Sequence, residues 1–169
     1  VERAMRLPER DSYSYHRDKM YVNLAVAMGG RVAEEVIFGY DKVSSGASSD
    51  IQYATRLARD MVTQWGMSDE LGTMVYGENE GEVFLGRSIQ THKNVSEATM
   101  QKVDSEIRRI IDKQYGVARQ LLEGNREKVE AMAAALLEFE TLDAEQIADI
   151  MSGKPPRPPK PSGSQAPSK

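Results

Sequence analysis

The chain has 169 residues, with 22 basic and 26 acidic side chains and no cysteine. Its length corresponds to about one domain, and the lack of cysteine excludes disulfide scaffolds, thiolate zinc fingers, iron–sulfur clusters and cysteine nucleophiles. The net charge of -4 argues against nucleic acid as a partner, because duplex-binding domains ordinarily carry a basic excess.

The first predicted helix begins after Ser12 or Ser14, either of which can cap it, and ends at Gly39. Its middle contains Gly29 and Gly30. These glycines either kink the helix or let another backbone approach closely, and the sequence does not decide between the two.

The clearest amphipathic helix follows a polar loop at residues 40–49 and ends at Gly66. Its apolar residues recur at the i, i+3, i+4, i+7 spacing: Ile51, Ala54, Ala58, Met61, Val62 and Trp65. The glycine-rich stretch at 67–93 then contains two short apolar runs, at 74–76 and 83–85. These runs either pair as a small hairpin or cover the core as a long loop.

Three more helices complete the predicted body. A long helix opens at Ser96 and closes at Gly124, a second helix follows immediately, and Asp143 caps a last short one. The sequence therefore predicts a mainly α, multi-helix globular domain with one glycine-rich hairpin or loop excursion.

Residues 152–169 differ from the body in composition, since they hold six of the seven prolines and no acidic residue. Four basic residues lie there, which leaves the body with 18 basic and 26 acidic side chains. We predict a domain at residues 1–151 and a disordered, proline-rich and lysine-rich tail at 152–169, whose alternative use is as a polyproline ligand for an aromatic groove.

Asp50 is the residue with the clearest chemical potential. It begins the strongest amphipathic helix and shares a helical face with Ala54 and Met61. A carboxylate in the first turn stabilises a helix, so Asp50 is interpreted either as a cap or as an oxygen ligand for zinc at the edge of the core. Arg31 and Glu35 lie four residues apart, as solvated surface pairs do.

Five stretches of the chain resemble, in order, the peptidase part of the FtsH family of ATP-dependent zinc metalloproteases, peptidase family M41. The resemblance covers Leu7 to Met151. The stretches are LPERD at 7–11, GGRVAEEVIFG at 29–39, SGASSDI at 45–51, ARDMVTQWGMS at 58–68 and GEVFLGR at 81–87.

The resemblance implies a membrane-anchored, usually hexameric ring in which an ATPase module, using ATP and Mg²⁺, feeds unfolded or membrane proteins to the peptidase domains. It places this domain on the cytoplasmic side of the membrane, or on the matrix or stromal side in an organelle. Zinc in the family is held by the two histidines of a His-Glu-x-x-His helix and by an aspartate, whose position here is Asp50. The glutamate of that motif is the general base.

The chain departs from the family because it contains no His-Glu-x-x-His sequence. We interpret it as a piece that lacks the front of the peptidase domain, the ATPase module and the anchor. It then supplies the third zinc ligand but no catalytic residue, and is inactive alone. No apolar run approaches the roughly 18 residues that span a bilayer, so we expect this piece to be soluble.

Glu34 and Glu35 are candidates to accept the second N–H of a zinc-bound imidazole, which usually donates to a carboxylate or carbonyl. The simpler alternative for Glu35 is the surface pair with Arg31. For the whole chain, the alternative function is a non-catalytic helical module for interaction or ring assembly.

Overall fold

The computed structural model describes residues 16–77 and 96–161, and this part of the chain forms five α-helices and no strand. The helices are α1 (Arg17–Phe38), α2 (Ser48–Thr63), α3 (Glu97–Gly124), α4 (Arg126–Phe139) and α5 (Ala144–Met151). The mainly α fold is confirmed. The chain divides after Gln120 into two compact units. The first contains α1, α2 and most of α3, and the second contains α4 and α5.

Helix α1 runs without interruption through Gly29 and Gly30 and ends at Gly39, as predicted. Gly39 has φ 83°, a left-handed conformation that favours glycine over any other residue. A Cβ added at Gly29 or Gly30 would meet no atom of the described residues within 4 Å. No backbone in the described part of the chain therefore approaches α1 closely at these two glycines.

The core of the first unit lies between α1 and α2, with further apolar side chains from α3. Its most deeply buried members are Leu24, Val32, Ala54, Ala58, Met61, Val62, Val103 and Ile110. The apolar stripe predicted for α2 is correct at its centre and wrong at its ends, because Ile51 is 36% exposed and Trp65 is 47% exposed. Helix α2 ends at Thr63, so Trp65 lies beyond the helical face on which it was placed.

The chain after α2 turns back on that helix. Gly66 has φ 59°, and a Cβ there would lie 2.8 Å from the Cα atom of Thr73, so the turn requires glycine. The backbone N–H of Tyr76 donates to the carbonyl of Thr63 at 2.8 Å. The first apolar run, at 74–76, is thus held beside the end of α2 without forming a strand. The second run, at 83–85, lies outside the described residues, so the hairpin stays a prediction.

Helix α5, in the second unit, is capped by Asp143, as the sequence predicts. The Asp143 carboxylate accepts from the backbone N–H of Gln146, and the Gln146 side chain accepts from the backbone N–H of Asp143, which completes a capping box. The Gln146 side chain, 1% exposed, also donates to the carbonyl of Arg157 at 3.0 Å.

Arg157 joins the proline-rich segment to α5. Its guanidinium donates from Nε and Nη2 to the two carboxylate oxygens of Asp149, both at 2.8 Å, and its backbone N–H donates to Asp149 at 3.1 Å. Lys160 pairs with Glu145 at 3.0 Å. These bonds attach the part of the tail up to residue 161 to α5, while residues 162–169 lie outside the described residues. The boundary at residue 151 and the disorder of the tail stay predictions.

We expect Arg157→Ala to lower the thermal midpoint of the second unit by a few degrees at neutral pH. Hydrogen bonds from Arg157 lower the pKa of Asp149 from 3.8 to about 2, so the contact contributes stability above about pH 4 and loses it as the pH falls towards 2. Circular dichroism melts at several pH values measure this. The matched control, Arg126→Ala, removes an exposed arginine paired with Glu130 in α4, and because such an exposed pair contributes little, its melting temperature should stay close to that of the wild type at every pH. A wild-type advantage over Arg157→Ala that persists undiminished at pH 2 would contradict the role of Asp149.

Candidate functional site

Asp50 lies in the first turn of α2, and its side chain is exposed. Among the described residues, no hydrogen bond or ion pair engages its carboxylate, and the helix is capped at Ala47 without a side-chain bond. Asp50 lies one helical turn before the fully buried Ala54 on the same face, so its carboxylate stands at the exposed end of that face among the described residues. The position still favours a negative charge at the positive end of the helix dipole.

The donor chemistry of Asp50 fits zinc, which accepts carboxylate oxygen, but one carboxylate is only part of a site. Catalytic zinc usually has three protein ligands and an open position for water. Within residues 16–77 and 96–161, no group of three or more histidine, aspartate and glutamate side chains is arranged to hold a metal ion. His16 precedes α1 at its exposed N-terminus, and His92 lies outside the described residues. Metal binding by Asp50 stays a prediction.

Glu34 is bound to the loop that leads to Asp50. Its Oε2 atom accepts from the backbone N–H of Ser44 at 2.9 Å, and its Oε1 atom accepts from the Ser44 hydroxyl at 2.7 Å. The backbone bond, followed by the hydroxyl bond, lowers the pKa of Glu34. Glu34 is therefore an anion with both oxygens engaged by one residue of the neighbouring loop.

Ser44 also forms a hydrogen bond to the turn that precedes α2. Its hydroxyl oxygen accepts from the backbone N–H of Gly46 at 3.1 Å and so caps a 3₁₀ turn at Ser45–Ala47. Helix α2 begins directly after the turn, and Ala47 is buried. One short hydrogen-bonded path thus connects the last part of α1 to the 3₁₀ turn that directly precedes α2 and Asp50.

Glu35 contacts a different part of the molecule. Its carboxylate accepts from Arg31 at 3.1 Å, from Arg119 at 3.3 Å, and from the Tyr115 hydroxyl. The predicted pair with Arg31 is present, but it is not a surface pair, since the Glu35 side chain is only 6% exposed. Burial and the bond to Glu35 raise the pKa of Tyr115. The contribution of Tyr115 and Arg119 was missed, because residues 80 and 84 positions away leave no local signal.

A second buried polar cluster ties the loop after α2 to α3. The Ser68 hydroxyl donates to Glu106 at 2.6 Å, and Arg109 donates to both oxygens of the same carboxylate at 2.8 and 3.0 Å. The hydrogen bond from Arg109 lowers the pKa of Glu106. All polar groups here are partnered, so the cluster is explained as a structural contact between elements.

None of the helices described is both long enough and apolar enough to cross a lipid bilayer.

Comparison with known proteins connects these features to a family. The model of peptidase family M41 matches residues 3–150. The ATP-dependent zinc metalloprotease FtsH of Cupriavidus metallidurans is 56% identical over 161 residues, which are 95% of this chain and 24% of that protein. The FtsH proteins of Caulobacter vibrioides and Photobacterium profundum are 53% and 49% identical over 91% and 89% of this chain, and over 25% and 22% of their own lengths.

The chain thus spans about a quarter of the length of these relatives. The family match includes α1, the loop at 40–47 and α2, which are the elements that position Glu34 and Asp50. The resemblance found in the sequence is confirmed. The chain belongs to peptidase family M41, the family of the FtsH metalloproteases.

Proposed function

We propose that this chain is the C-terminal part of a membrane-anchored, ATP-dependent zinc metalloendopeptidase that degrades unfolded or membrane proteins. The observation that carries the proposal is Asp50. It is exposed and unengaged by the described residues, at the start of a rigid helix within the family match. A first-turn aspartate can stabilise a helix without any partner, so the family match supplies the reason to assign Asp50 a zinc-ligand role.

In this proposal Asp50 supplies one oxygen ligand, and a His-Glu-x-x-His helix of the parent protein supplies two imidazoles and the general base. A zinc ion held there would supply Lewis-acid chemistry, polarising the peptide carbonyl and activating water. The contribution of this chain is positional: the buried side chains of α2, Ala54, Ala58 and Met61, fix the helix and so fix the direction of its first turn. The carboxylate needs no rearrangement to bind, since no described neighbour must be released.

The relatives are named ATP-dependent zinc metalloproteases, which supports an ATPase module in the parent, whereas the ring and its location are what the family resemblance implies. We propose that the parent is a homohexameric ring with an ATPase module that uses ATP and Mg²⁺. Its peptidase domains face the cytoplasm, or the matrix or stroma of an organelle. Glu34 and Glu35 remain candidates for orienting an imidazole ligand, although the contacts described for them are to Ser44, Arg31, Tyr115 and Arg119.

The isolated 169-residue chain should not cleave an unfolded protein and should bind zinc more weakly than micromolar. One exposed carboxylate leaves most of the zinc coordination to water. Calorimetry with zinc and incubation with a fluorescent denatured protein measure both properties. The parent protein should degrade the same substrate only with ATP, and a zinc chelator should stop that degradation. Stoichiometric, tight zinc binding with cleavage by the isolated chain would contradict the assignment of the other ligands to the parent.

A further inference from the structure

In the described part of the chain, the loop between α1 and α2 is hydrogen-bonded to α1 through one pair of residues, Glu34 and Ser44, and its last residue, Ala47, is buried. Within the loop, the backbone bonds of Lys42 and Val43 run to Gly39 and Tyr40, so they stabilise local turns only. Among the described residues, the side-chain hydrogen bonds that reach from this loop to α1 are the two between Ser44 and Glu34. This contact therefore supplies the directional, hydrogen-bonded part of the attachment, while the buried Ala47 side chain supplies packing.

We propose that Glu34 is a positioning residue that holds the first turn of α2, and with it Asp50, in the orientation needed for zinc binding, acting through Ser44. This inference rests on the proposed function. Glu34 accepts from Ser44 twice, Ser44 accepts from Gly46, and Gly46 lies four residues before Asp50 in a turn continuous with the helix. A carboxylate ligand needs such support, since the groups that orient ligands tune metal affinity by about 10- to 100-fold.

The packing around Gly46 supports the same path. A Cβ at Gly46 would lie 3.2 Å from the Ser44 hydroxyl oxygen and 3.9 Å from Oε1 of Glu34. A side chain at position 46 would therefore crowd the Ser44 hydroxyl oxygen and would touch Glu34 at an ordinary contact distance. The absence of a side chain at position 46 lets the turn lie directly against the bonded pair.

Although Glu34 and Glu35 are adjacent in the sequence, their side chains contact different parts of the molecule. Glu34 contacts the loop that leads to Asp50, whereas Glu35 contacts Tyr115 and Arg119 on α3. Glu34 thus orients Asp50 for zinc binding, and Glu35 attaches α3 to α1. Removal of each should then produce a different phenotype.

The first test uses amide hydrogen exchange in the 169-residue chain, which requires no zinc. Glu34→Ala should speed exchange of the Ser44 and Gly46 amides at least about tenfold, and Ser44→Ala should do so for the Gly46 amide, with the α2 core amides around Met61 unchanged in both. Ser44→Thr keeps the hydroxyl and should restore slow exchange. Asp41→Asn removes a charge from the same exposed loop and should change nothing. Exchange at Ser44 and Gly46 that stays at the wild-type rate in Glu34→Ala would overturn this inference but would leave the proposed function standing.

The second test measures zinc affinity of the parent protein by competition with a chromogenic chelator. Glu34→Ala should weaken zinc binding about 10- to 100-fold, and should weaken it no further in an Asp50→Asn background, because its effect passes through Asp50. An equal loss in both backgrounds would overturn the inference. Unchanged zinc affinity in Asp50→Asn itself would overturn the proposed function, and this positioning role with it.

Discussion

Asp50→Asn in the parent protein should reduce proteolysis at least about 100-fold while ATP hydrolysis continues. Substitutions in the groups that merely orient ligands already cost about 10- to 100-fold in metal affinity or activity, and a ligand should cost no less. Asparagine keeps the size of the side chain but loses the negative charge that makes aspartate a good zinc ligand. Degradation of an unfolded protein, ATP turnover and zinc content, measured on one preparation, separate these effects.

A capping role for Asp50 predicts a different result: a loss of about 1 kcal/mol or less in stability, with proteolysis retained. The matched control is Asp60→Asn, which removes a carboxylate from the last turns of the same helix and should leave proteolysis unchanged. Wild-type proteolysis and zinc content in Asp50→Asn would leave Asp50 as a first-turn aspartate that stabilises α2.

Glu35→Ala should destabilise the chain by about 3 kcal/mol, because it removes the buried carboxylate that accepts hydrogen bonds from Arg31, Arg119 and Tyr115. The loss should lie at the low end of the range for buried pairs, since the Arg119 side chain is 42% exposed and regains water. Urea unfolding, followed by circular dichroism, gives the free energy of unfolding.

Two variants sharpen this prediction. Glu34→Ala, at the adjacent and more solvated position, should cost only about 1 kcal/mol. A double-mutant cycle between Glu35→Ala and Tyr115→Phe should show clear non-additivity, because the two groups share a hydrogen bond. If Glu35→Ala leaves stability intact but weakens zinc binding in the parent, Glu35 instead orients a zinc ligand.

The helices could be predicted because their signals are local. The capping box at the start of α5 involves two residues three positions apart, Asp143 and Gln146. The left-handed conformation after α1 is indicated by the presence of glycine at position 39. The errors at Ile51 and Trp65 have a physical cause, since periodicity gives the side of a helix but not how far its partner extends along it. The Arg157 contact with Asp149 was also missed, because the composition of a proline-rich segment does not show that a folded helix binds one of its side chains.

The candidate site was predicted unevenly. The resemblance identified Asp50, and the sequence placed it correctly in the first turn of a helix. The exposure of its side chain was not predicted. Glu34 and Glu35 were singled out together, and only the fold separates them, since it turns one towards Ser44 and the other towards α3. Contacts such as Glu35 with Tyr115 depend on how distant segments pack, which a single sequence does not encode at any fixed spacing.

The most direct measurement for the central claim is a crystal structure of the zinc-loaded parent protein, with anomalous diffraction collected at the zinc absorption edge. We expect an anomalous peak with a carboxylate oxygen of Asp50 at about 2.0–2.2 Å and two imidazoles completing the protein ligands. A fully occupied zinc ion coordinated without Asp50, with the Asp50 carboxylate in solvent, would contradict it.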